Sequence, residues 1–140
     1  MDKQALRKVY LGKRANLSID FVNVNSEKIM RHFFALDEFK KADIVHCYAS
    51  IKENREVETA PILDFCLNNK KELVMPKVLP KGEMNHIRVS SKTGFTENKW
   101  GVKEPVDGTL VGADYPELIV VPMVAGDRQK KQTWLRKRVL

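Results

Sequence analysis

The apolar residues of the N-terminal part of the chain recur at helical spacing. Residues 3–15 place Leu6, Val9 and Tyr10 on one face of a predicted helix and most Lys and Arg side chains elsewhere. Ser18 is suited to cap a second helix, because its hydroxyl can accept a hydrogen bond from a backbone N–H group of the first turn. The apolar residues that follow keep a loose helical period; they are Phe21, Ile29, Phe33 and Phe34. The pattern therefore predicts two amphipathic helices at the start of the chain.

Short apolar runs that are typical of strands follow these helices. Residues 43–49 form the first run, and residues 73–75 form a second run, which we expect Pro76 to close. Residues 86–89 alternate apolar and polar side chains, as a half-exposed strand does. Residues 118–121 read Leu-Ile-Val-Val and are the clearest candidate for a buried strand. Continuous apolar strands of this kind are typical of parallel sheets.

A further predicted helix separates the first two runs. Thr59 is suited as its N-cap, and Pro61 fits its first turn, where a missing N–H group is tolerated. Residues 91–117 are rich in Gly, Pro, Asp and Lys, and we interpret them as loop. Strand, helix and strand in succession predict an α/β fold with a mainly parallel sheet flanked by helices.

Composition narrows the class of protein. The 140 residues are 43% hydrophobic and 31% charged, which fits one domain with a real core. No apolar run approaches the roughly 20 residues of a membrane helix, and the basic N-terminus lacks the apolar centre of a signal peptide. Cys47 and Cys66 both lie in apolar segments, as reduced core thiols do. We therefore expect a soluble cytoplasmic protein.

The net charge of +7 would suggest a nucleic-acid or membrane partner, but its distribution argues against that. Residues 128–140 hold six basic side chains and no acidic one, whereas the preceding part holds 19 basic and 18 acidic residues. The basic character is thus a property of the last residues alone.

The spacing of His and Cys residues favours neither a metal site nor a nucleophilic cysteine. His32, His46 and His86 lie far apart, and we interpret them as three unrelated histidines. Cys47 directly follows His46 in a predicted strand, so the two side chains point to opposite faces and cannot form a catalytic pair.

Two acidic residues follow the first predicted strand, where open α/β sheets place ligands. Alternation predicts that Glu56 and Glu58 point to one side and Val57 to the other. A carboxylate at this place can accept paired N–H donors from a flat heterocycle. A solvated turn explains the same residues.

Two further segments stay open between functional and structural interpretations. Lys3 and Arg7 lie one helical turn apart and could both reach a polyphosphate, or they could form a solvated helix face. Trp100 stands before a glycine in a predicted loop, where it could stack on a ligand ring or pin the loop to the core.

Five stretches, taken in order, resemble the 5-formyltetrahydrofolate cyclo-ligase family, also called the methenyltetrahydrofolate synthetases. They are residues 3–7, residues 51–59 with their Glu-Val-Glu-Thr, residues 74–77, residues 100–105 and residues 118–127. The resemblance implies ATP-dependent cyclisation of 5-formyltetrahydrofolate to 5,10-methenyltetrahydrofolate, with release of ADP and phosphate. It also implies a sheet similar to that of sugar-phosphate isomerases and CoA transferases.

The resemblance implies roles for individual residues. The residues that would contact ATP are Lys3, Gln4, Ala5, Leu6 and Arg7. Ile51 and Glu56 would contact the folate, with Glu56 accepting N–H groups of the pterin, and Trp100 would form a wall of the same pocket. Mg²⁺ is the implied metal ion, and the resemblance assigns it no ligands. We expect a monomer that binds the folate and ATP, with no nucleic acid and no membrane as partner.

The chain departs from the family after residue 128. The family continues with a glycine-rich phosphate-binding stretch, typically beginning Asn-Arg-Leu-Gly-Tyr-Gly-Lys-Gly-Tyr, whereas this chain has no glycine after Gly126. Residues 131–140 can be written in codons that, after loss of one adenine, encode that family stretch. We therefore expect residues 1–127 to form an incomplete cyclo-ligase-like domain and residues 128–140 to form a basic tail, frameshifted from about residue 131.

The departure bears on activity. Backbone N–H groups beside glycine approach phosphates closely, so a tail without glycine predicts impaired ATP binding. The family continues with further sheet and helix after that stretch, and loss of those strands predicts an exposed sheet edge. One alternative function is a binding module whose basic tail grips nucleic acid or an anionic surface. Another is a related sugar-phosphate enzyme on the same type of sheet.

Overall fold

The computed structural model describes residues 2–99, 101–126 and 128. Four α-helices precede or connect the first strands: α1 (Lys3–Ala15), α2 (Ile19–Ala35), α3 (Asp37–Lys41) and α4 (Ala60–Asn68). The strands are β1 (Ile44–Cys47), β2 (Glu72–Val78), β3 (Met84–Val89), β4 (Phe95–Glu97), β5 (Lys103–Pro105), β6 (Thr109–Val111) and β7 (Leu118–Val120). Within the described ranges, no helix is both long and apolar enough to cross a membrane.

The first two helices begin where the sequence predicts. The Asp2 carboxylate accepts a hydrogen bond from the Ala5 N–H group at 2.7 Å, and the Ser18 hydroxyl accepts one from Phe21 N–H at 3.0 Å. Each cap satisfies one backbone donor that the helix itself leaves free. The two predicted helices at residues 3–15 and after Ser18 are therefore confirmed.

The α/β fold is confirmed, and its main sheet is mixed. Five strands lie in the order β6-β3-β2-β1-β7. β1 pairs in parallel with β2 and with β7, whereas β3 runs antiparallel to both β2 and β6. β4 and β5 form a separate antiparallel ribbon.

One face of the main sheet carries the core. Val45, Leu73 and Val89 stand in register across β1, β2 and β3, and all three are buried. Helices α2, α3 and α4 cover this face with the buried residues Met30, Phe39, Ile62 and Cys66. Phe33, Phe34, Phe39 and Phe65 form a connected aromatic cluster, with contacting ring centroids 4.6 to 5.8 Å apart. Burial of these side chains provides the main stabilisation of the sheet–helix layer.

Both cysteines belong to this core and are free thiols, as predicted. Burial, and to a smaller degree the neighbouring Cys66, raise the pKa of the Cys47 thiol to about 12. Burial raises the pKa of Cys66 to about 11. Both side chains are therefore protonated, apolar components of the packing at neutral pH.

Three predictions about strands were wrong. β2 continues through Pro76 to Val78, because pairing with β1 ends at Val74 and the later part of β2 pairs only with β3. Residues 91–117 contain three strands of three residues each, too short to produce a recognisable hydrophobic period. β7 is a half-exposed strand at a sheet edge of the described structure, with Ile119 38% exposed.

The interpretation of three unrelated histidines was also wrong. His46 on β1 and His86 on β3 lie opposite Val74 and Pro76 of β2, two residues apart and hence on the same face of the sheet. Nε2 of His46 and Nδ1 of His86 are 3.1 Å apart, within hydrogen-bond distance. The sequence separation of 40 residues hides this contact, because only strand register brings the two rings together.

His46 makes the fold sensitive to acid. Its side chain is buried, and this burial together with the neighbouring His86 lowers the pKa of His46 to about 4. The folded state therefore holds this ring neutral, whereas the unfolded chain takes up a proton near its ordinary pKa of 6.5. The stability from the neutral ring is fully present above that value and is lost as the pH falls toward 4.

We expect His46→Leu to flatten the acid side of the stability curve. Between pH 7 and pH 4, the wild type should lose up to about 3 kcal/mol of unfolding free energy through this histidine. Urea unfolding at a series of pH values measures the loss, and His32→Leu, at an exposed position on α2, is the matched control. Parallel pH profiles for wild type and His46→Leu would contradict the assignment.

A second prediction concerns Gly108, which leads into β6. Its φ is +129°, and a Cβ at this position would lie 2.6 Å from the Arg88 carbonyl oxygen and 2.7 Å from Cγ2 of Ile87. Gly108→Ala should therefore destabilise the fold by about 2 kcal/mol or more in urea unfolding. The control Gly12→Ala, on open helix surface, should stabilise it by about 0.5–1 kcal/mol. Equal stabilities of Gly108→Ala and wild type would show that the clash is relieved cheaply.

Candidate functional site

A cavity of about 530 Å³ lies at the carboxyl ends of the parallel strands β1 and β7. Helices α1 and α2 form one wall, and residues 55–57, residue 59 and residues 120–124 contribute to the other. This is the place where open α/β sheets bind ligands, and the volume is typical of a small-molecule site. Its apolar lining includes Leu17, Phe21, Val22, Ile29, Met30, Phe33, Val57, Ile62 and Val120.

The loop after β1 is closed by a reciprocal pair of hydrogen bonds. The Ser50 N–H group donates to Oγ1 of Thr59, and the Thr59 N–H group donates to Oγ of Ser50, each at 3.1 Å. The Thr59 hydroxyl in turn donates to the carbonyl oxygen of Tyr48 at 2.7 Å. Thr59 occupies the N-cap position of α4 as predicted, but its side chain makes no capping bond because it closes this loop instead.

Glu56 is held from within the same loop. Its Oε2 accepts a hydrogen bond from the Ile51 N–H group at 2.7 Å, across a 3₁₀ turn at Lys52–Asn54. A carboxylate has about four acceptor positions, so one backbone bond fixes its orientation and leaves capacity for further donors. Glu56 is half-buried and lines the cavity.

The charges around the cavity favour an anionic ligand that also carries N–H donors. Among the described residues that line the cavity, Lys13, Arg14 and Arg55 contribute three cationic groups, against the one carboxylate of Glu56. Such an excess attracts negative charge. Burial raises the pKa of the Tyr48 phenol above its ordinary value, and the Glu56 carboxylate raises it further. Tyr48 therefore remains a neutral hydroxyl at the cavity wall.

The structure brings together only part of the predicted site. Ile51 and Glu56 are joined by their hydrogen bond, but only Glu56 is among the residues that line the cavity. Residues 3–7 occupy the first turns of α1, whereas the contribution of α1 to the cavity begins at Tyr10. Trp100 lies outside the described residues, as do residues 129–140, on which the prediction of a frameshifted basic tail rests.

The expected alternation of Glu56, Val57 and Glu58 was wrong. Residues 55–59 form no strand, so Glu56 and Val57 both line this cavity. Glu58 lines a second cavity of about 700 Å³, which shares Ser26 and Met30 with the first.

Sequence reasoning missed several residues of the site. Arg14 and Arg55 are ordinary surface residues by sequence, and Tyr48 is one apolar residue of a strand run. A usable signal was the position of Tyr48 directly after the first strand, where side chains turn toward the ligand crevice. No comparable signal marks Arg14, because its role depends on how α1 packs.

Comparison with known proteins agrees with the resemblance. The sequence profile of the 5-formyltetrahydrofolate cyclo-ligase family matches residues 1–131. The fold is similar to the NMR structure of 5,10-methenyltetrahydrofolate synthetase from Aquifex aeolicus, with a TM-score of 0.83 and 36% sequence identity over 99% of this chain and 69% of that chain. It is also similar to a 5,10-methenyltetrahydrofolate synthetase from Mycoplasma pneumoniae, with a TM-score of 0.63 and 24% identity over 88% of this chain and 65% of that chain. Comparison with curated proteins gives no match.

The loop closure by Thr59 can be tested by mutation. Thr59→Val keeps the shape but removes a donor to Tyr48 and an acceptor for the Ser50 N–H group, both in a part-buried setting. We expect a loss of about 1–3 kcal/mol of unfolding free energy in urea titration. Thr96→Val, on the exposed face of β4, is the matched control and should change stability little. A loss no larger than that of the control would rule out the proposed closure.

Proposed function

Because the chain belongs to the 5-formyltetrahydrofolate cyclo-ligase family, we propose that its cavity binds 5-formyltetrahydrofolate for ATP-dependent cyclisation to 5,10-methenyltetrahydrofolate. The observation that carries the proposal is the Glu56 carboxylate, fixed by Ile51 in a largely apolar cavity. A pterin offers a flat ring with N–H donors on one edge, and a carboxylate is the acceptor that such an edge requires. The cations around the cavity suit the carboxylates of the folate.

The chemistry explains why ATP is needed. A formamide carbonyl is a poor electrophile, and its oxygen is a poor leaving group. Attack of the formyl oxygen on the γ-phosphorus forms a new P–O bond and breaks the bond to ADP. The neighbouring folate N–H nitrogen then attacks the activated carbon and gives up its proton to solvent, the ring closes, and phosphate departs with the former formyl oxygen. The protein contributes mainly by holding two anionic substrates in line and offsetting their charge.

Lys3 and Arg7 remain our candidates for the ATP contacts. Both lie on α1, one turn apart, and α1 extends from them to the cavity wall at Tyr10, Lys13 and Arg14. One helix thus links the proposed nucleotide site with the proposed folate site. We expect the reaction to take place in the cytoplasm and the protein to act as a monomer.

Mg²⁺ belongs to the proposal as the partner of the nucleotide phosphates. Within the described part of the chain, no three His, Cys, Asp or Glu side chains are grouped so that they could hold a metal ion. In this proposal Mg²⁺ arrives with ATP, as an ion that keeps several waters and takes few protein ligands. Bound there, the ion would offset charge on the transferred phosphoryl group.

Two measurements test the proposal. Calorimetric titration with 5-formyltetrahydrofolate measures binding, and the absorbance of the methenyl product measures turnover with ATP and Mg²⁺. Saturable binding of the folate supports the site, and turnover supports the whole reaction. Binding without turnover would support the expectation that the tail impairs use of ATP. Absence of folate binding would overturn the proposed function.

Glu56→Gln should weaken binding of 5-formyltetrahydrofolate by about 10- to 100-fold, because an amide is a weaker acceptor and presents a donor toward the pterin N–H groups. Calorimetry measures the change. Glu53→Gln is the matched control, since Glu53 is an exposed residue of the same loop and does not line the cavity. Equal affinities of Glu56→Gln and Glu53→Gln for 5-formyltetrahydrofolate would show that Glu56 does not contribute to folate binding.

A further inference from the structure

Arg55 adopts a backbone conformation that its residue type does not favour. Its φ and ψ are 55° and 36°, in the left-handed region, at the end of the 3₁₀ turn Lys52–Asn54. For a residue other than glycine, such a conformation costs about 1 kcal/mol or more and persists only where surrounding contacts enforce it. Here the Arg55 N–H group donates to the carbonyl oxygen of Lys52 at 3.0 Å, and the side chain makes further contacts.

The Arg55 side chain joins two parts of the chain that are distant in sequence. Its Nε donates a hydrogen bond to the carbonyl oxygen of Leu17 at 3.0 Å, and its Nη1 donates to the carbonyl oxygen of Glu53 at 3.4 Å. Leu17 lies in the corner between α1 and α2, just past the carboxyl end of α1. The bond to the Leu17 carbonyl oxygen therefore ties Arg55 to the segment that joins α1 to α2.

The position of Arg55 connects this contact to the candidate site. Arg55 directly precedes Glu56, and its left-handed turn sets the direction in which the chain enters residues 56–59. Arg55, Leu17 and Glu56 all line the same cavity. A clamp between Arg55 and Leu17 therefore holds the Glu56 end of the loop against the wall that α1 and α2 provide. Further along, the Glu58 N–H group donates to Oγ of Ser26 on α2 at 3.0 Å.

We propose that Arg55 is a positioning residue, which through its bond to the Leu17 carbonyl oxygen holds Glu56 in the orientation that receives the pterin. The proposal rests on the proposed function for its ligand. Its structural part, that Arg55 orders the Ile51–Glu56 bond, does not depend on any ligand. Preorganisation of this kind strengthens binding because the loop loses less freedom when the ligand arrives.

Three substitutions separate the side chain of Arg55 from its backbone. Arg55→Ala removes the clamp and keeps the strain of a left-handed non-glycine residue. Arg55→Gly removes the clamp and relieves the strain, because glycine tolerates positive φ. Arg55→Lys keeps a cation that can reach a carbonyl oxygen, so it should rescue part of the effect. Lys52→Ala, at an exposed residue of the same turn, is the matched control.

Hydrogen exchange of the Ile51 amide, followed by NMR, is the first readout, since this N–H group is the donor to Glu56. We expect its protection to fall about 10-fold or more in both Arg55→Ala and Arg55→Gly, with partial recovery in Arg55→Lys. The amides of the central strand β2 should stay unchanged in all variants. Unchanged protection of the Ile51 amide in Arg55→Ala and Arg55→Gly would overturn the proposal. It would also be overturned if protection fell in Arg55→Ala but not in Arg55→Gly, because the effect would then come from backbone strain and not from the side chain.

Affinity for 5-formyltetrahydrofolate is the second readout. Arg55→Ala should weaken binding about 10-fold in the wild type and clearly less in the Glu56→Gln background, where the part that acts through Glu56 is already lost and only the contribution of the Arg55 charge remains. Additive losses would contradict a role through Glu56. If the wild type binds no folate, the proposed function fails, and the exchange of Ile51 still decides whether Arg55 positions the loop.

Discussion

Parallel pairing of β1 on both sides is the constraint on which the rest of the structure depends. The strand has only four residues, yet it pairs with β2 through Ile44, Val45 and His46 and with β7 through Val45, His46 and Cys47. The Glu117 carboxylate fixes the start of this arrangement, because Oε1 accepts the N–H groups of Asp43 and Ile44 at 2.9 and 3.0 Å. Parallel pairing places the carboxyl ends of β1 and β7 side by side, and the cavity forms there.

The two faces of β1 make different contacts. Val45 and Cys47 point into the layer of α2, α3 and α4, whereas His46 points to the opposite face and meets His86. Lys71 helps to hold the helical layer in place, since its Nζ donates to carbonyl oxygens at and after the end of α3, those of Phe39, Lys40 and Ala42. The loop after β1 thus begins at a strand that pairs with a neighbour along each edge and makes contacts on both faces.

The order of the site loop comes from local contacts that close it and two long-range contacts that dock it against α1 and α2. Ser50 and Thr59 close the loop at its base, and Ile51 and Glu56 bond across its turn. Both pairs lie within ten residues, so the loop folds much of its own geometry locally. Two contacts reach across the chain: Arg55 Nε donates to the carbonyl oxygen of Leu17, 38 residues away, and the Glu58 N–H group donates to Oγ of Ser26 on α2, 32 residues away. The local bonds set the shape of the loop, and the two distant bonds set its place.

Features that depend on local interactions could be predicted from the sequence, and features that depend on contacts between distant residues could not. Helices α1 and α2 were predictable because their caps and apolar periods are local, and β1 was predictable because its apolar run is continuous. Strands β4, β5 and β6 were not, since pairing rather than composition makes three residues a strand. The contact of His46 with His86 and the exposure of Ile119 depend on register and strand order, which no spacing along the chain reveals. Among the residues that line the cavity, Glu56 was a candidate from its place after β1 and from the family resemblance, whereas Arg14 and Arg55 were not.

The two buried thiols have a consequence for how the chain can be observed. With the pKa of Cys47 raised to about 12 and that of Cys66 to about 11, neither sulfur is a thiolate in the folded protein at neutral pH. Alkylating reagents attack thiolates, so the native chain should resist them and become labelled only when β1 or α4 opens. The rate of alkylation therefore reports the opening of the sheet–helix interface with no probe introduced. A reagent too large to enter would report separation of the layers, and a small one would report smaller fluctuations.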